Sequence, residues 1–270
     1  MLVLLAVWLI TFSTSYSEDN EWRQIAKGLD LARFRVDAES FAGDSTIVVL
    51  RIDPDFWVFD FLTAGTANVA SNMTARDWCE EFGYSGAINA GMFHKDYKNH
   101  VGYMKDEDSV YSMIVNKYKS AAAFDPIRRD LPLFHMYDLD ETEMDSVEAK
   151  YHCVVQNLRL VKRPGINRWS QDSKRWSEAA LGQDDRGRVL FIFCTSPYTM
   201  HDFNNMLLSL PINLTCAQHL EGGPEAQLCI LTDSLEHQWF GSYETGPAVK
   251  KQGLTAWPIP NVIAIKPRGK

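Results

Sequence analysis

Short apolar and beta-branched runs, separated by polar turns, dominate the hydrophobic pattern of this chain of 270 residues. Residues 45–52 and 56–61 are two such runs, and Asp53, Pro54 and Asp55 lie between them. Runs of this length and composition predict strands, and the Asp-Pro-Asp segment predicts a tight turn that joins them. The same pattern predicts further strands at residues 121–124, 153–155, 189–193, 226–231 and 261–265.

A first helix is predicted at Ala75–Phe82 by the residues at its two ends. Thr74 can cap the amino terminus, and Asp77 occupies the third helical position of a capping box. Gly83 stands where a helix commonly ends in a left-handed glycine.

A second helix is predicted at residues 200–210, where Thr199 is the amino-terminal cap and Asp202 the third residue. Apolar residues recur on one face, and Pro211 ends the helix. Each helix is followed by a short apolar segment that runs into a glycine-containing motif. This repeated order predicts two similar helix, strand and loop units.

Together these elements predict an α+β protein built of mixed, mostly antiparallel sheets with a few packed helices. Hydrophobic residues make up 46% and charged residues 23% of the chain, which is the composition of a folded protein with a sizeable core. Because no repeat, low-complexity tract or flexible linker marks a boundary, we expect residues 18–270 to form a single domain.

The amino-terminal segment has the pattern of an export signal. Residues 1–10 form an apolar run, which is followed by small and polar residues near Ser17 and by the charge of Glu18. This order is typical of a secretory signal peptide, although no Lys or Arg precedes the run. A membrane anchor is the alternative, but a span needs about 20 apolar residues. We therefore expect a signal peptide at residues 1–17 and a secreted or periplasmic protein without a stable membrane span.

Net charge and cysteine spacing narrow the functional classes. The formal charge of −8 disfavours a nucleic-acid partner, because such partners are bound through their phosphate backbone. The five cysteines show no C-x-x-C pair and no zinc-type spacing. In an exported protein they could form one or two disulfides or serve as small buried apolar residues, and their spacing does not decide between the two.

Four motifs follow one another along the chain. Gly-Ala-Ile-Asn-Ala-Gly-Met-Phe lies at residues 86–93 and His-Leu-Glu-Gly-Gly-Pro-Glu at residues 219–225, with Val-Gln-Asn-Leu-Arg-Leu-Val at 155–161 and Trp-Ser-Glu-Ala-Ala-Leu-Gly at 176–182 between them. In this order they resemble the phosphodiester glycosidase family, whose patterns are Asn-Gly-Gly-x-Phe, Gln-x-x-Pro-x-Leu-Val, Arg-x-Ala-x-Gly and Leu-Asp-Gly-Gly. The resemblance covers about residues 45–268.

The resemblance implies a hydrolase that cleaves the anomeric bond of a sugar 1-phosphodiester. No cofactor is expected. Four positions depart from the family pattern: Ala90 replaces a glycine, Arg159 lies in the region of the usual Pro, Glu178 stands where Arg is frequent, and Glu221 stands where Asp is commoner. These departures point to a bacterial-type subgroup with its own sugar phosphodiester or glycan substrate.

Glu221 is the leading candidate for a catalytic carboxylate. Anomeric hydrolysis proceeds through an oxocarbenium-like transition state and needs a carboxylate to stabilise it or to activate water. Glu221 ends a short apolar run, and the glycines after it allow close approach to a ligand. Asn89 is the second catalytic candidate, because its amide can donate to a sugar hydroxyl or a phosphate oxygen. Both motifs could instead be simple turns with solvated side chains.

Further residues of the motifs are candidates for substrate binding. Glycine frees backbone N–H groups to bind a ligand, and the guanidinium of Arg is suited to a phosphate. The alternatives are a core position for Phe93 and a surface ion pair for Arg159. On a strand, Gln156 and Arg159 would also face opposite sides unless a bulge intervenes. The candidates are Gly91, Phe93, His94, Gln156, Arg159, Gly222 and Gly223.

Histidines and tryptophans near the motifs offer additional functional groups. His94 and His219 adjoin the glycine segments and could transfer protons or bind phosphate. His94, Asp96 and His100 would suit a metal by residue type, but their spacing matches no known ligand pattern, so a metal stays an open alternative and no ligand is assigned. Trp169 and Trp176 lie in a polar stretch and are expected to reach a cleft, where an indole can pack on a sugar.

Two rival functions use the same features. The chain could be a non-catalytic glycan or cell-envelope binding protein that keeps the scaffold without the chemistry, as the changes at Ala90 and Glu178 suggest. It could also be a structural envelope protein in which the glycine motifs only turn the chain. Turnover of a sugar 1-phosphodiester separates the enzyme from both.

Overall fold

A computed structural model describes residues 20–40, 42–64, 73–107, 109–242 and 255–269 of the protein. The predicted signal peptide at residues 1–17 lies outside the described residues. The described chain is an α+β fold of three sheets in which every pairing between described strands is antiparallel, as predicted. No described helix is long and apolar enough to cross a membrane.

The strands follow one another along the chain, interrupted by three helices. The strands are β1 (Arg23–Ala26), β2 (Leu29–Arg35), β3 (Thr46–Ile52), β4 (Trp57–Thr63), β5 (Gly86–Asn89), β6 (Met104–Lys105), β7 (Val110–Ser112), β8 (Ser120–Pro126), β9 (Phe134–Asp138), β10 (Tyr151–Asn157), β11 (Arg159–Lys162), β12 (Ile166–Asn167), β13 (Trp176–Asp184), β14 (Val189–Tyr198), β15 (Leu214–Gly222), β16 (Gln227–Thr232), β17 (Leu235–Phe240) and β18 (Asn261–Pro267). The helices are α1 (Ala75–Phe82), α2 (Met144–Glu148) and α3 (Met200–Ser209), and a 3₁₀ turn spans Gly223–Glu225.

The strands form one eight-stranded sheet and two five-stranded sheets. The order is β1-β2-β3-β14-β13-β15-β11-β12 in the first, β7-β6-β10-β8-β9 in the second and β17-β16-β5-β18-β4 in the third. Apolar side chains from all three sheets, such as Phe191, Phe124 and Ile263, share one central core. The outer face of each sheet packs against one helix: α3 on the first, α2 on the second and α1 on the third.

Both capped helices are confirmed. Thr74 accepts a hydrogen bond from the backbone N–H of Asp77, whose carboxylate accepts one from the N–H of Thr74, and this completes the capping box. Gly83 ends α1 in the left-handed conformation with φ 71°. Thr199 accepts from the N–H of Asp202 at the start of α3. In each case the strand after the helix, β5 or β15, leads into a glycine-containing loop.

The predicted strands around Asp53 are also confirmed, but they do not pair with each other. The turn is present, since the N–H groups of Phe56 and Trp57 donate to the carbonyl of Asp53. After it the chain changes sheets: β3 pairs with β2 and β14, whereas β4 pairs with β18. The turn therefore joins two walls of the central core.

All five cysteines are buried and unpaired in the structure. Cys153 and Cys216 belong to the central core. Cys79 lies on the buried face of α1 and shares a cluster with Cys229 of β16, and Cys194 lies under α3. The cysteine spacing left disulfides and buried apolar positions open, and in the structure the cysteines occupy buried apolar positions. Burial raises the pKa of the Cys194 thiol, which keeps it protonated.

Candidate active site

The two glycine motifs meet through the side chain of Asn89. Its Nδ2 donates to the carbonyl of Glu225 at 2.9 Å, and its Oδ1 accepts from the N–H of Gln227 at 2.7 Å. Asn89 ends β5 and Gln227 begins β16, which are neighbours in one sheet. Asn89 is only 1% exposed, so both bonds lie in the interior. The amide thus joins the loop after β5 to the turn after β15.

A cleft of about 460 Å³ opens between these two loops. The loop after β5 forms one wall, and the end of β15 with the 3₁₀ turn forms the other. Trp176, at the start of β13, closes one side. The lining residues are Met92, Phe93, His94, Lys95, Tyr97, Trp176, His219, Glu221, Gly222 and Glu225. Six of the residues singled out from the sequence are among them: Phe93, His94, Trp176, His219, Glu221 and Gly222.

Glu221 and His219 reach the same cleft from the end of β15, where the strand carries a β-bulge. In the pairing of β15 with β13, Glu221 lies opposite Ala179, while His219 lies opposite Ala180, so the register shifts by one residue around Leu220. Leu220 itself is buried in the central core. Residues two apart on a strand point to the same side, so Glu221 and His219 both reach the cleft while Leu220 faces the core, and the bulge bends the strand end locally.

The carboxyl group of Glu221 is partly exposed to the cleft but surrounded by protein atoms. Its desolvation raises the pKa to about 8, and the negative charges of Glu225 and Glu178 act in the same direction. His219 opposes the shift, as does the N–H of Gly222, which donates to Oε1 at 3.0 Å. The net effect is that Glu221 carries a proton at neutral pH, which makes it a proton donor at the cleft wall.

His219 is held from beneath by a buried carboxylate. Its Nδ1 lies 2.6 Å from Oε1 of Glu178, and Nε1 of Trp176 donates to Oε2 of the same carboxylate at 2.8 Å. Glu178 is 1% and His219 5% exposed. Burial disfavours the imidazolium, but the Glu178 carboxylate outweighs it and raises the pKa of His219. With Nδ1 occupied, Nε2 is the ring nitrogen left for the cleft.

The wall formed by the loop after β5 is ordered by its own hydrogen bonds. The Oδ1 atom of Asp96 accepts from the backbone N–H groups of Lys98 and Asn99 at 3.0 and 3.1 Å. The Tyr97 hydroxyl donates to Oε1 of Glu225 at 3.1 Å across the cleft, and Tyr97 itself has a φ of 55°. Phe93 packs against the Tyr97 ring with 5.0 Å between centroids. This wall is therefore fixed relative to the 3₁₀ turn opposite.

Two predicted glycines support the cleft from behind. A Cβ on Gly91 would collide with the side chains of Asn157 and His100, so only glycine allows this loop to approach β10. Gly223 is buried with a φ of 68°, the left-handed conformation that favours glycine, and it starts the 3₁₀ turn. Neither residue lines the cleft itself.

Gln156 and Arg159 lie away from the cleft lining. The buried amide of Gln156 donates to the carbonyls of Asn116 and Tyr118 at 3.0 and 2.8 Å and so holds a neighbouring loop in place. The guanidinium of Arg159 pairs with Asp138 at 2.7 Å and Asp140 at 2.8 Å. Both side chains therefore bond to groups outside the cleft. For Arg159 the structure has the ion pair that the sequence analysis gave as the alternative to substrate binding.

The two tryptophans expected at a cleft separate. Trp176 lines it, whereas the Nε1 of Trp169 donates to the carbonyl of Arg159 at 2.8 Å and its ring packs near α3.

Within the described ranges, no group of three potential ligands is placed to hold a metal ion. His100 is buried with its Nε2 3.0 Å from the carbonyl of Gln156, and burial lowers its pKa to about 4.

Several cleft residues carry no signal in the sequence. Lys95 and Tyr97 follow Phe93 in a polar stretch, and Glu225 lies beyond the second glycine pair. Lys95 and Tyr97 lie two and four residues after the end of the first motif, and Glu225 is the last residue of the second. This nearness is the available signal, because loops at strand ends form ligand sites. Glu178 stood out only as a departure from the family pattern. Its contact with His219 depends on the pairing of β13 with β15.

The fold is shared with solved proteins. It is similar to the zebrafish N-acetylglucosamine-1-phosphodiester alpha-N-acetylglucosaminidase catalytic domain auto-inhibited by its pro-peptide, with a TM-score of 0.64 and 14% identity over 93% of this chain and 87% of that one. It is also similar to a hypothetical protein from Synechocystis, with a TM-score of 0.59 and 10% identity over 93% of this chain and 64% of that one. At such low identity these matches establish the fold class alone.

The family is established by sequence. The sequence pattern of the phosphodiester glycosidase family matches residues 82–266, which is more than half of the chain. The protein therefore belongs to the phosphodiester glycosidase family, and the resemblance of the four motifs is confirmed. No curated protein matches the sequence significantly.

Proposed function

We propose that this protein is an exported hydrolase that cleaves the anomeric bond of a sugar 1-phosphodiester in the cleft between its two glycine loops. The observation that carries this proposal is Glu221, an acid/base group with a pKa raised to about 8 that lines the cleft of a phosphodiester glycosidase family member. A strongly perturbed titratable group in a cleft is the physical mark of a functional site.

Glu221 supplies the proton in the proposed reaction. As the bond between C1 and the bridging oxygen breaks, the electron pair stays on that oxygen, and the departing phosphomonoester takes the proton of Glu221. Water adds to C1 and releases a proton, which restores Glu221. The products are a free sugar and a phosphomonoester. Because a catalytic pKa near the working pH is the most effective, a value of about 8 suits this role.

The remaining cleft residues position the substrate. We assign Asn89 a positioning role, because both ends of its amide bind the backbone at Glu225 and Gln227 and so fix the wall that carries Glu221. The indole of Trp176 offers a flat face for a sugar ring. Phe93 and Tyr97, packed against each other, form an apolar patch on the opposite wall.

Turnover on defined substrates tests the proposal. The purified mature protein is incubated with a panel of sugar 1-phosphodiesters, including N-acetylglucosamine and glucose derivatives, and the released sugar is quantified. Glu221→Gln keeps the side-chain volume and the bond from Gly222 but removes the proton. We expect kcat to fall by about 10²- to 10⁴-fold, since general acid catalysis contributes this much. Glu80→Gln, at an exposed position of α1, is the matched control.

A negative result has a defined meaning. Glycan binding without turnover on any member of the panel would favour the rival reading, a non-catalytic glycan or cell-envelope binding protein. A kcat of Glu221→Gln within about tenfold of the wild type would leave less than roughly 1.4 kcal/mol to this side chain and would remove its catalytic role.

Export is tested separately. We expect cleavage of the signal peptide after Ser17, so that the exported protein begins at Glu18. Intact-mass spectrometry of the protein from the medium or periplasm measures this directly. Recovery of the chain from the membrane fraction with Met1 retained would identify the segment as an anchor instead.

A further inference from the structure

The cleft combines one lysine with three carboxyl groups at or just below its surface. Lys95 is the one lysine or arginine among the described lining residues. Glu221 and Glu225 line the opposite wall, and Glu178 lies directly under His219. A sugar phosphodiester carries a negative charge, so a further positive group is needed next to these carboxyl groups.

His219 has the geometry to be that positive group. Its Nδ1 lies 2.6 Å from Glu178, so the ring is fixed in one orientation by a charge-assisted bond. The second oxygen of Glu178 accepts from the indole of Trp176, which keeps the carboxylate from rotating. The ring is nearly buried yet belongs to the cleft lining, so what it presents to a ligand is the nitrogen that Glu178 does not hold.

We propose that His219 is the phosphate-binding residue of the cleft, donating from Nε2–H to a phosphoryl oxygen, with Glu178 and Trp176 as positioning residues that hold it in place. The proposal rests on the proposed function, because it assigns the phosphate of that substrate to one side chain. The sugar ring would then lie toward Trp176, whose ring is 6.2 Å from that of His219, centroid to centroid.

The charges around His219 give this site a defined pH dependence. Glu178 from β13 and Glu221 from β15 face the ring and favour the imidazolium, and Glu225 lies on the same wall. His94 and Lys95 stand in the opposite wall. The Glu178 carboxylate raises the pKa of His219, so binding of an anion should be lost as the pH rises through that raised value. Ionisation of Glu221 adds repulsion in the same direction.

Binding of dimethyl phosphate to the intact protein tests the proposal without any turnover. This diester keeps a single negative charge over the whole pH range used, so its own titration does not interfere. We expect His219→Gln to weaken binding at neutral pH by tenfold or more. His152→Gln, on β10 and outside the cleft lining, is the matched control and should bind as the wild type does.

Glu178→Gln separates charge from packing. The amide oxygen of a glutamine can still accept from Nε1 of Trp176 while its NH2 group faces Nδ1 of His219, so the side-chain volume is kept. The negative charge is lost, and the pKa of His219 falls from its raised value. Binding should then weaken at neutral pH and recover at lower pH, a shift that a purely structural role would not cause. In Glu221→Gln the loss of binding at high pH should persist, because it arises from His219.

A measurement on the wild type avoids any dependence on variants that fold poorly. The ring nitrogens of histidine are followed by nitrogen-15 NMR while dimethyl phosphate is added, and a bound anion should raise the pKa of one buried histidine. Unchanged His219 resonances at saturating diester, or equal affinity in His219→Gln, would overturn the proposal. Phosphate binding that depends on His219 without turnover on any sugar diester would instead reject the proposed reaction and leave the phosphate site in place.

Discussion

The side chain of Asn89 reaches across 138 residues of sequence to Gln227, whose backbone N–H donates to Oδ1 at 2.7 Å. The same amide donates from Nδ2 to the carbonyl of Glu225 at 2.9 Å. One buried residue therefore sets the separation of the two loops that form the cleft. A residue with this role affects both the stability of the fold and the geometry of the site.

Asn89→Ala should lower the free energy of unfolding by about 2–4 kcal/mol, because it removes two buried hydrogen bonds and leaves a backbone donor and acceptor unsatisfied. Urea unfolding followed by tryptophan fluorescence measures the change. Asn205→Ala, at an exposed position of α3, is the control and should change stability by less than about 0.5 kcal/mol. If Asn89→Ala were as stable as the control, the loops would be held together by other contacts.

The local elements were predictable because their signals lie in adjacent residues. Thr74 and Thr199 each cap a helix through a hydrogen bond to a residue three positions later. A few neighbouring residues therefore determine where the helix begins. By contrast, α2 at Met144–Glu148 has no side-chain cap and only five residues, and it forms against β10 through tertiary packing. Such a helix leaves no pattern that a sequence can reveal.

The arrangement of the sheets was not predictable from the same pattern. β3 and β4 are separated by a short turn, yet they enter different sheets because each pairs with a strand more than a hundred residues away. β13 was not predicted as a strand, because the buried polar residues Glu178, Gln183 and Asp184 interrupt its apolar pattern. These polar groups are satisfied by partners from elsewhere in the chain, such as the carbonyl of Phe134 for Gln183.

The sequence predicted which glycine-containing loops form the candidate site, but it did not predict the contacts that depend on strand pairing. Glu221 and Phe93 could be placed near a ligand because glycines mark loops that approach one closely. An ion pair was an open alternative for Arg159, but its partners could not be identified from the sequence, since Asp138 reaches it only through the folding of β9 beside the other sheet. The contact between Glu178 and His219 depends in the same way on strand register.

Gly222→Ala should disturb the support of His219 while keeping the backbone N–H that donates to the proposed acid, Glu221. A Cβ at position 222 would lie 2.5 Å from Cδ1 of Trp176, so the indole must move and its bond to Glu178 is strained. We expect kcat/KM on a confirmed sugar diester to fall by about tenfold, equivalent to roughly 1.4 kcal/mol. Gly269→Ala, where the added carbon meets nothing within 4 Å, is the matched control. Equal activity of the two variants would show that the indole can shift freely.

Arg159→Gln should affect stability and not catalysis. The guanidinium bridges Asp138 and Asp140 at a position where its own side chain is 16% exposed, and it does not line the cleft. Loss of charge-assisted bonds at such a site costs about 1–3 kcal/mol, whereas kcat/KM should stay within about twofold of the wild type. Arg128→Gln, which breaks an exposed ion pair with Asp130, should leave both quantities unchanged. A tenfold rise in KM for Arg159→Gln would instead place this residue at the substrate.

Glu221→Gln should stabilise the protein, and the gain should grow with pH. In the unfolded chain the carboxyl group ionises above its ordinary pKa of about 4.3, whereas in the folded protein desolvation keeps it protonated up to about 8. Between these values the unfolded state binds fewer protons, so the stability of the wild type falls as the pH rises, and it levels off above about 8.

Glutamine cannot ionise, so the variant avoids this loss while keeping the bond from the N–H of Gly222. The two proteins should be nearly equal in stability near pH 4, and the variant should gain about 1–3 kcal/mol at pH 8, a figure reduced for the partial exposure of the side chain to water. Urea unfolding at a series of pH values checks this, with Glu80→Gln as the exposed control. An advantage that stayed constant with pH would mean that Glu221 is already ionised in the folded protein at neutral pH. If the variant is more stable but inactive, the protonated carboxyl group in the cleft lowers the free energy of unfolding and is required for activity, as expected of a catalytic acid.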